Sequence, residues 1–144
     1  MHKIVIDHDS NDVDKKAIRE GILAFNKSIL GKGMLEKTFS VFLKDENNNI
    51  HGGILAYFDS ESVFVDVVWV DENSRHQGYG TQLLSATENE GCKLGCRYAT
   101  LDTWSFQAEE FYLKNGYERL GEIKNYYLHH SKIFLRKELK GLLP

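Results

Sequence analysis

The stretch from Ser62 to Thr81 constrains this 144-residue chain more than any other. Ser62–Val70 is a Val-rich run with two aromatic residues, the composition of a central strand. A polar stretch, Asp71 to Gln77, leads into Gly78-Tyr79-Gly80-Thr81. From Gly78 to Glu90 the chain has no proline, and Leu83, Leu84 and Thr87 suit one helix face. A buried strand that feeds a helix through a glycine turn exposes several unpaired N–H groups, and the helix dipole adds partial positive charge. That combination is an anion site suited to phosphate, with Gly78 and Gly80 allowing close backbone approach and Arg75 adding a charged contact. A plain tight turn explains two glycines before a helix equally well. Two other phosphate loops do not fit: Gly80 is followed by Thr81-Gln82 rather than Lys-Ser/Thr, and Leu83 stands where a third glycine would be.

The remaining segments supply the sheet and helices around this unit. Lys3–Ile6 reads as a first strand. Asp12 is an expected N-cap for a helix whose apolar face is Ile18, Ile22, Phe25 and Ile29, ended by Gly31 and Gly33. Thr38–Lys44 and Ile50–Phe58 flank the turn residues Asp45 to Asn49 and predict a hairpin. Arg97–Thr103 is a strand. Gln107–Asn115 is a helix with Ala108, Phe111 and Tyr112 at helical spacing, and Gly116 follows as its C′ residue. Tyr117–Ile123 and Lys132–Lys137 read as the last strands. The order implies an α/β domain over residues 1–144 with a mixed sheet: parallel pairing in the second half, antiparallel hairpins around it.

Composition excludes several function classes. The 18 basic and 21 acidic residues give a net charge of −3, unlike a protein that grips nucleic acid over a broad face. The longest apolar run, Gly52 to Phe58, is seven residues, too short for a membrane helix. The first ten residues hold His2, Lys3, Asp7 and Asp9, so no signal-peptide core is read there and the expected compartment is the cytoplasm. Cys92 and Cys96 stand four apart, and reduced thiols are the default in such a compartment. Zinc needs further ligands, and the nearest histidines downstream, His129 and His130, are far along the chain, so no metal is expected.

Arg75-x-x-Gly78-x-Gly80, lying between strand and helix, resembles the signature of the GNAT superfamily of N-acetyltransferases. A second segment of that family is matched downstream by Ala108, Phe111, Tyr112, Lys114, Gly116 and Tyr117. The element order is similar along nearly the whole chain. The resemblance implies the acyl-CoA N-acyltransferase fold, a central mixed β-sheet flanked by helices. It implies transfer of an acetyl group from acetyl-CoA to an amine by direct attack in a ternary complex, without a metal. A non-catalytic acyl-CoA-binding sensor of the same fold is the competing reading.

By the same resemblance, the diphosphate lies on the backbone N–H groups of Gln77, Gly78, Tyr79, Gly80 and Thr81, with Arg75 adding a charged contact and His76 presenting its backbone. The strand end Val68-Trp69-Val70 splays from the strand ending at Thr103, the pantetheine arm fills the gap, and an N–H near Trp69 polarises the thioester carbonyl. Tyr112 is the expected proton donor to the leaving thiolate, and Phe111 the core aromatic beside it. Asp66 interrupts the apolar strand and, by a two-residue period, falls on the side of Phe64, Val68 and Val70. It reads as base or acceptor ligand, or as a salt-bridge or edge residue. Ser105 stands where many family members have Asn, and with Gln107 is a candidate cofactor contact. Trp104, Phe106 and the Tyr126-Tyr127 pair line an acceptor pocket or pack the core. The acceptor, a small-molecule or peptide amine, is favoured as a cation by the mild acidity of the chain. Sheet edges in this family often pair into dimers, so a homodimer is within the expectation.

Overall fold

The apolar spacing over Ile18, Ile22, Phe25 and Ile29 does form a helix, α1, at Asp12–Leu30. Its N-cap is Asn11 rather than Asp12. The Asn11 side chain accepts a hydrogen bond from the Asp14 N–H, and both aspartates fall in the first turn, where the dipole favours negative charge. Residues 3–6, whose composition suggests a strand, are not part of one. The computed structural model describes residues 1–34 and 36–140. The chain divides into two units, Met1–Met34, which carries α1, and Leu35–Pro144, which carries the sheet.

In the second unit, β1 (Glu36–Lys44) and β2 (Ile50–Asp59) form the expected hairpin. β3 (Ser62–Val70) follows, then α2 (Tyr79–Lys93), β4 (Tyr98–Trp104), the short α3 (Glu109–Lys114), β5 (Glu118–Tyr127) and β6 (His130–Glu138). The strand order is β1-β2-β3-β4-β6-β5. Among the described residues only β3 and β4 pair in parallel. α2 joins them, as a parallel connection requires. α3 likewise joins β4 to β5, yet the parallel pairing expected of that second strand–helix–strand unit does not form, because β6 lies between them and pairs antiparallel with both.

One face of the sheet is apolar where it meets α2. Ile54, Ala56 and Phe58 of β2, Val63 and Val65 of β3, Ala99 and Leu101 of β4, and Ile133 and Leu135 of β6 are buried there with Leu83 and Leu84. Each of the larger side chains, the two alanines aside, contributes about 1.5–3 kcal/mol by leaving water. α2 buries Thr87, Glu88 and Gly91 on the same side. Glu88 is an ion inside this layer, and two donors satisfy it. The Tyr117 hydroxyl and Lys137 Nζ each donate to a separate Glu88 oxygen at 2.8 Å. That network ties α2 to β6 and to the start of β5. Of the two cysteines, Cys96 is buried and Cys92 partly so, and both are free thiols. Burial pushes the Cys96 thiol up to about 11, so it is inert at neutral pH. No helix among the described residues is long and apolar enough to cross a membrane.

Candidate active site

The site begins where two neighbouring strands part. β3 and β4 pair from Ser62↔Tyr98 to Val65↔Leu101 and no further. Beyond Val65 the β4-facing edge of β3 has no strand partner, while its other edge stays paired to β2. The parting coincides with a bulge. Leu55 stands opposite Val67 and Ala56 opposite Val65, so Asp66 has no partner on β2.

This bulge corrects the expectation for Asp66. An extra residue shifts the side-chain alternation by one. Val68 and Val70 pack towards the core with Val63 and Val65, and not on the side of Phe64. Val67 and Trp69 take the opposite face, where both are about half exposed. Asp66 itself is exposed at the bulge rather than buried in the strand.

A short 3₁₀ turn, Glu72–Ser74, follows β3, N-capped by Asp71, whose Oδ1 accepts from the Ser74 N–H at 2.8 Å. Arg75 Nε donates back to the Val70 carbonyl at 2.9 Å, fixing its side chain at the end of β3. His76 and Gly78 both have positive φ, 62° and 83°. They turn the chain into α2, whose N-cap is Gly78. Here α2 differs from α1. It has no side-chain cap and no acidic residue in its first turn. Its leading amides lie within the first turn, where no intrahelical acceptor exists. An anion supplied from outside is the natural partner for such an end. Gly80 serves packing: a Cβ there would stand 3.2 Å from two atoms of the Phe111 ring, so its hydrogen lets α3 close against α2.

α3 brings the aromatic pair to the cleft, with burial reversed from the expectation. Tyr112 is buried, 7% exposed, and Phe111 is only partly so. The rings meet edge to face at 5.1 Å, and Tyr112 meets Tyr117 in the same manner at 5.9 Å. The Tyr112 hydroxyl makes no hydrogen bond among the described residues, and no buried polar side-chain atom among them lacks a partner. The hydroxyl is therefore not sealed from solvent, and Tyr112 lines the cleft. Burial raises Tyr112 to about 12, so the phenol stays protonated across the physiological range. Gln107 positions the end of β4: its Oε1 accepts from the Trp104 N–H at 2.9 Å and from Thr103 Oγ1 at 3.2 Å. Ser105 does not line the cleft. Its hydroxyl accepts from the Ser131 N–H at 2.9 Å and its own N–H donates to the Ser131 carbonyl, which holds β4 to β6.

These elements enclose a cleft of about 960 Å³, within the range that holds a sizeable ligand. Of the sequence-predicted residues, Asp66, Val68, Trp69, Val70, Arg75, His76, Gly80 and Tyr112 line it. Trp104 and Gln107 line it as well, whereas Gln77, Gly78, Tyr79, Thr81 and Ser105 lie outside the lining, as do Phe106, Tyr126 and Tyr127, which are exposed rather than packed in the core. Asp102, Thr103, Phe111 and Lys114 also line it. The cleft passes between the parted strands, so it has two faces. Arg75, His76, Gly80, Phe111 and Tyr112 come from the α2 and α3 side. On β4, Leu101 and Thr103 are buried towards α2, which turns Asp102 and Trp104 to the other side.

Residues 37–119 match the family model described as Acetyltransferase (GNAT) domain, more than half of the chain. The chain belongs to the GNAT family of acetyltransferases. A crystal structure of an acetyltransferase from Bacillus cereus ATCC 14579 is similar to this GNAT chain with a TM-score of 0.85 and 34% identity, over 95% of this chain and 98% of that one. Acetyltransferase Atu2258 of Agrobacterium fabrum is 28% identical over 109 residues, 76% of this chain and 79% of its own length. Blasticidin-S acetyltransferase of Streptomyces morookaense is 29% identical over 91 residues, 62% and 67% of the two chains.

The acetyltransferase also carries a polar clamp that the sequence does not announce. His51 of β2 hydrogen-bonds Asp71 Oδ2 through Nδ1 at 2.7 Å and Asp45 Oδ2 through Nε2 at 2.8 Å. Both ring nitrogens face carboxylate oxygens, so both must donate, and the imidazolium is the form that fits. The bonds to Asp45 and then Asp71 raise the His51 pKa, and the bond from His51 holds Asp71 low. The clamp joins the β1–β2 turn to the start of the loop that leads into α2. Among the described residues no group of three or more His, Cys, Asp or Glu could hold a metal ion.

Proposed function

We propose that this acetyltransferase uses acetyl-CoA as donor and an amine as acceptor, with direct attack in a ternary complex. The observation that carries this reading is the uncapped start of α2, opening onto a cleft between strands that part after Val65 and Leu101. A diphosphate suits the amides of Gln77 to Thr81, with the Arg75 guanidinium beside them. The free edge of Val68-Trp69-Val70 offers backbone groups to an extended arm, as an added strand would use them. The bound donor supplies a thioester, whose carbonyl is open to attack and whose sulfur leaves.

The chain's own groups then act on protons and charge. A backbone N–H near Trp69 stabilises negative charge developing on the carbonyl oxygen. The Tyr112 hydroxyl, protonated and at the cleft wall, donates to the departing sulfur. Overall, the amine nitrogen bonds to the carbonyl carbon and the carbon–sulfur bond breaks with its electron pair on sulfur. An ammonium acceptor loses two protons in all, one balanced by the thiol and one released to water. Asp66, exposed at the bulge and without an ion pair, serves as ligand for the ammonium and accepts a proton from it. Ser105, outside the cleft and bonded to Ser131, is left out of the donor contacts.

The decisive experiment follows thiol release from acetyl-CoA with a panel of amines, for the wild type and Tyr112→Phe. The Tyr112 hydroxyl has no protein partner to lose, so stability and coenzyme affinity stay close to wild type while kcat falls about a hundredfold. Equal kcat in the two proteins removes Tyr112 from the chemistry.

A further inference from the structure

We propose that the cleft face turned away from α2 receives an amine borne on a flat, unsaturated ring. Its ammonium sits at Asp66 and its ring against Trp104. This rests on the reading of the cleft as the site of acetyl transfer.

Three observations converge on that ligand. First, the chain has two tryptophans, and both line the cleft, one on each of the parted strands. Trp69 points away from the core and is half exposed, and Trp104 lies on the corresponding face of β4. Trp69 is left half in water and Trp104 is only partly buried, a poor use of apolar surface unless something covers them. Second, Trp104 is held by other rings. Phe106 stacks on it at 5.8 Å and 19°, and Tyr126 meets it edge-on at 5.4 Å. Phe106 and Tyr126 are themselves 59% and 49% exposed. A flat ring gains on such a platform both by burial and by the quadrupole geometry that aromatic pairs prefer.

Third, the charges are distributed to select a cation at one point only. Asp102 already lies 3.6 Å from Lys132 Nζ, and that same ammonium stands 5.4 Å from the Trp104 centroid and 4.9 Å from that of Tyr126. Asp102 is therefore neutralised and one aromatic face is taken. Asp66 is the carboxylate of this cleft that no cation pairs among the described residues. A ring with an ammonium on a short linker matches both features: the charge reaches the carboxylate while the ring lies on the aromatic wall. A saturated carbon frame of the same size fills the same volume but lacks the π face.

The test compares 2-phenylethylamine with 2-cyclohexylethylamine, which share a carbon skeleton and differ in the ring. Binding to the CoA-loaded enzyme is measured by calorimetry and by quenching of tryptophan fluorescence, which reports on both walls. The unsaturated ring is expected to bind about fivefold more tightly. Trp104→Leu should bring the two amines to equal affinity. Phe106→Ser, at a position that is 59% exposed, should reduce the preference without abolishing it. Asp66→Asn should weaken both amines together. Equal affinities in the wild type, binding of neither amine, or a preference that survives Trp104→Leu overturns the proposal. Turnover is scored apart from binding. Ring-selective binding with no thiol release from acetyl-CoA would refute the catalytic reading and leave the recognition surface standing.

Discussion

Removing the Glu88 carboxylate tests how this fold tolerates an ion in its core. Glu88 is 9% exposed and Tyr117 3%, and the Lys137 side chain is about a quarter exposed. In Glu88→Ala the Tyr117 hydroxyl keeps its burial and loses its acceptor, which costs roughly 1–2 kcal/mol. Lys137 loses a charge-assisted bond, roughly another 1.5–2 kcal/mol after allowing for its access to water. The two losses together come to about 2.5–4 kcal/mol, close to the cost of breaking a buried pair from one side. At this chain length that lowers the melting temperature by roughly 10–15 °C. Denaturant unfolding is the assay: the midpoint should fall with little change in slope. The triple change Glu88→Leu, Tyr117→Phe, Lys137→Met should recover most of the loss, because it removes the orphaned groups along with the ion. A loss below about 1 kcal/mol in Glu88→Ala would show that water already satisfies these groups, and the burial argument would fail.

Two further predictions probe the supports of the cleft. In Gly52→Ala the new Cβ would lie 2.7 Å from the Trp69 carbonyl oxygen, a backbone atom that cannot swing aside. A cost of about 1–3 kcal/mol is expected, along with weaker binding of acetyl-CoA by calorimetry; affinity and stability equal to wild type would mean that this end of β3 is free to move. For His51 the sign follows from its raised pKa. The stability its charged form provides is fully present below the ordinary histidine range, near 6.5, and is lost as pH rises through the raised folded-state value. Unfolding of the wild type and His51→Gln should therefore differ most at mildly acidic pH and converge at alkaline pH, and a pH-independent difference would contradict the doubly donating imidazolium.

Much of this molecule is legible in its sequence because the signals are local. Ser62–Val70 forms a strand over those bounds, and Leu83, Leu84 and Thr87 mark the buried face of α2. The errors arise where the decisive partner is distant. Lys3–Ile6 has strand-like composition, but composition does not supply the neighbour that a strand needs. The bulge at Asp66 is hidden because valines stand on both sides of it, so the run keeps no visible phase. The three-residue step from Val65 to Val68 was its one trace. The burial of Glu88 has no local signal, since its donors Tyr117 and Lys137 lie 29 and 49 residues away. For Phe111 and Tyr112, spacing places both on α3, but the approach of Gly80 and Tyr117 decides which ring is deeper.

The sheet ends on β5, whose residues are exposed from end to end, and such an outer strand invites another chain to add itself. Its register with β6 slips twice, after Arg119 and after Ile123, and Glu118, Arg119, Glu122 and Lys124 punctuate it with charge. A fibril-like neighbour would have to follow those irregularities and tolerate the like charges of its own copies. The border strand thus protects against runaway self-association in a molecule whose interior sheet, once opened, has every quality needed to stack.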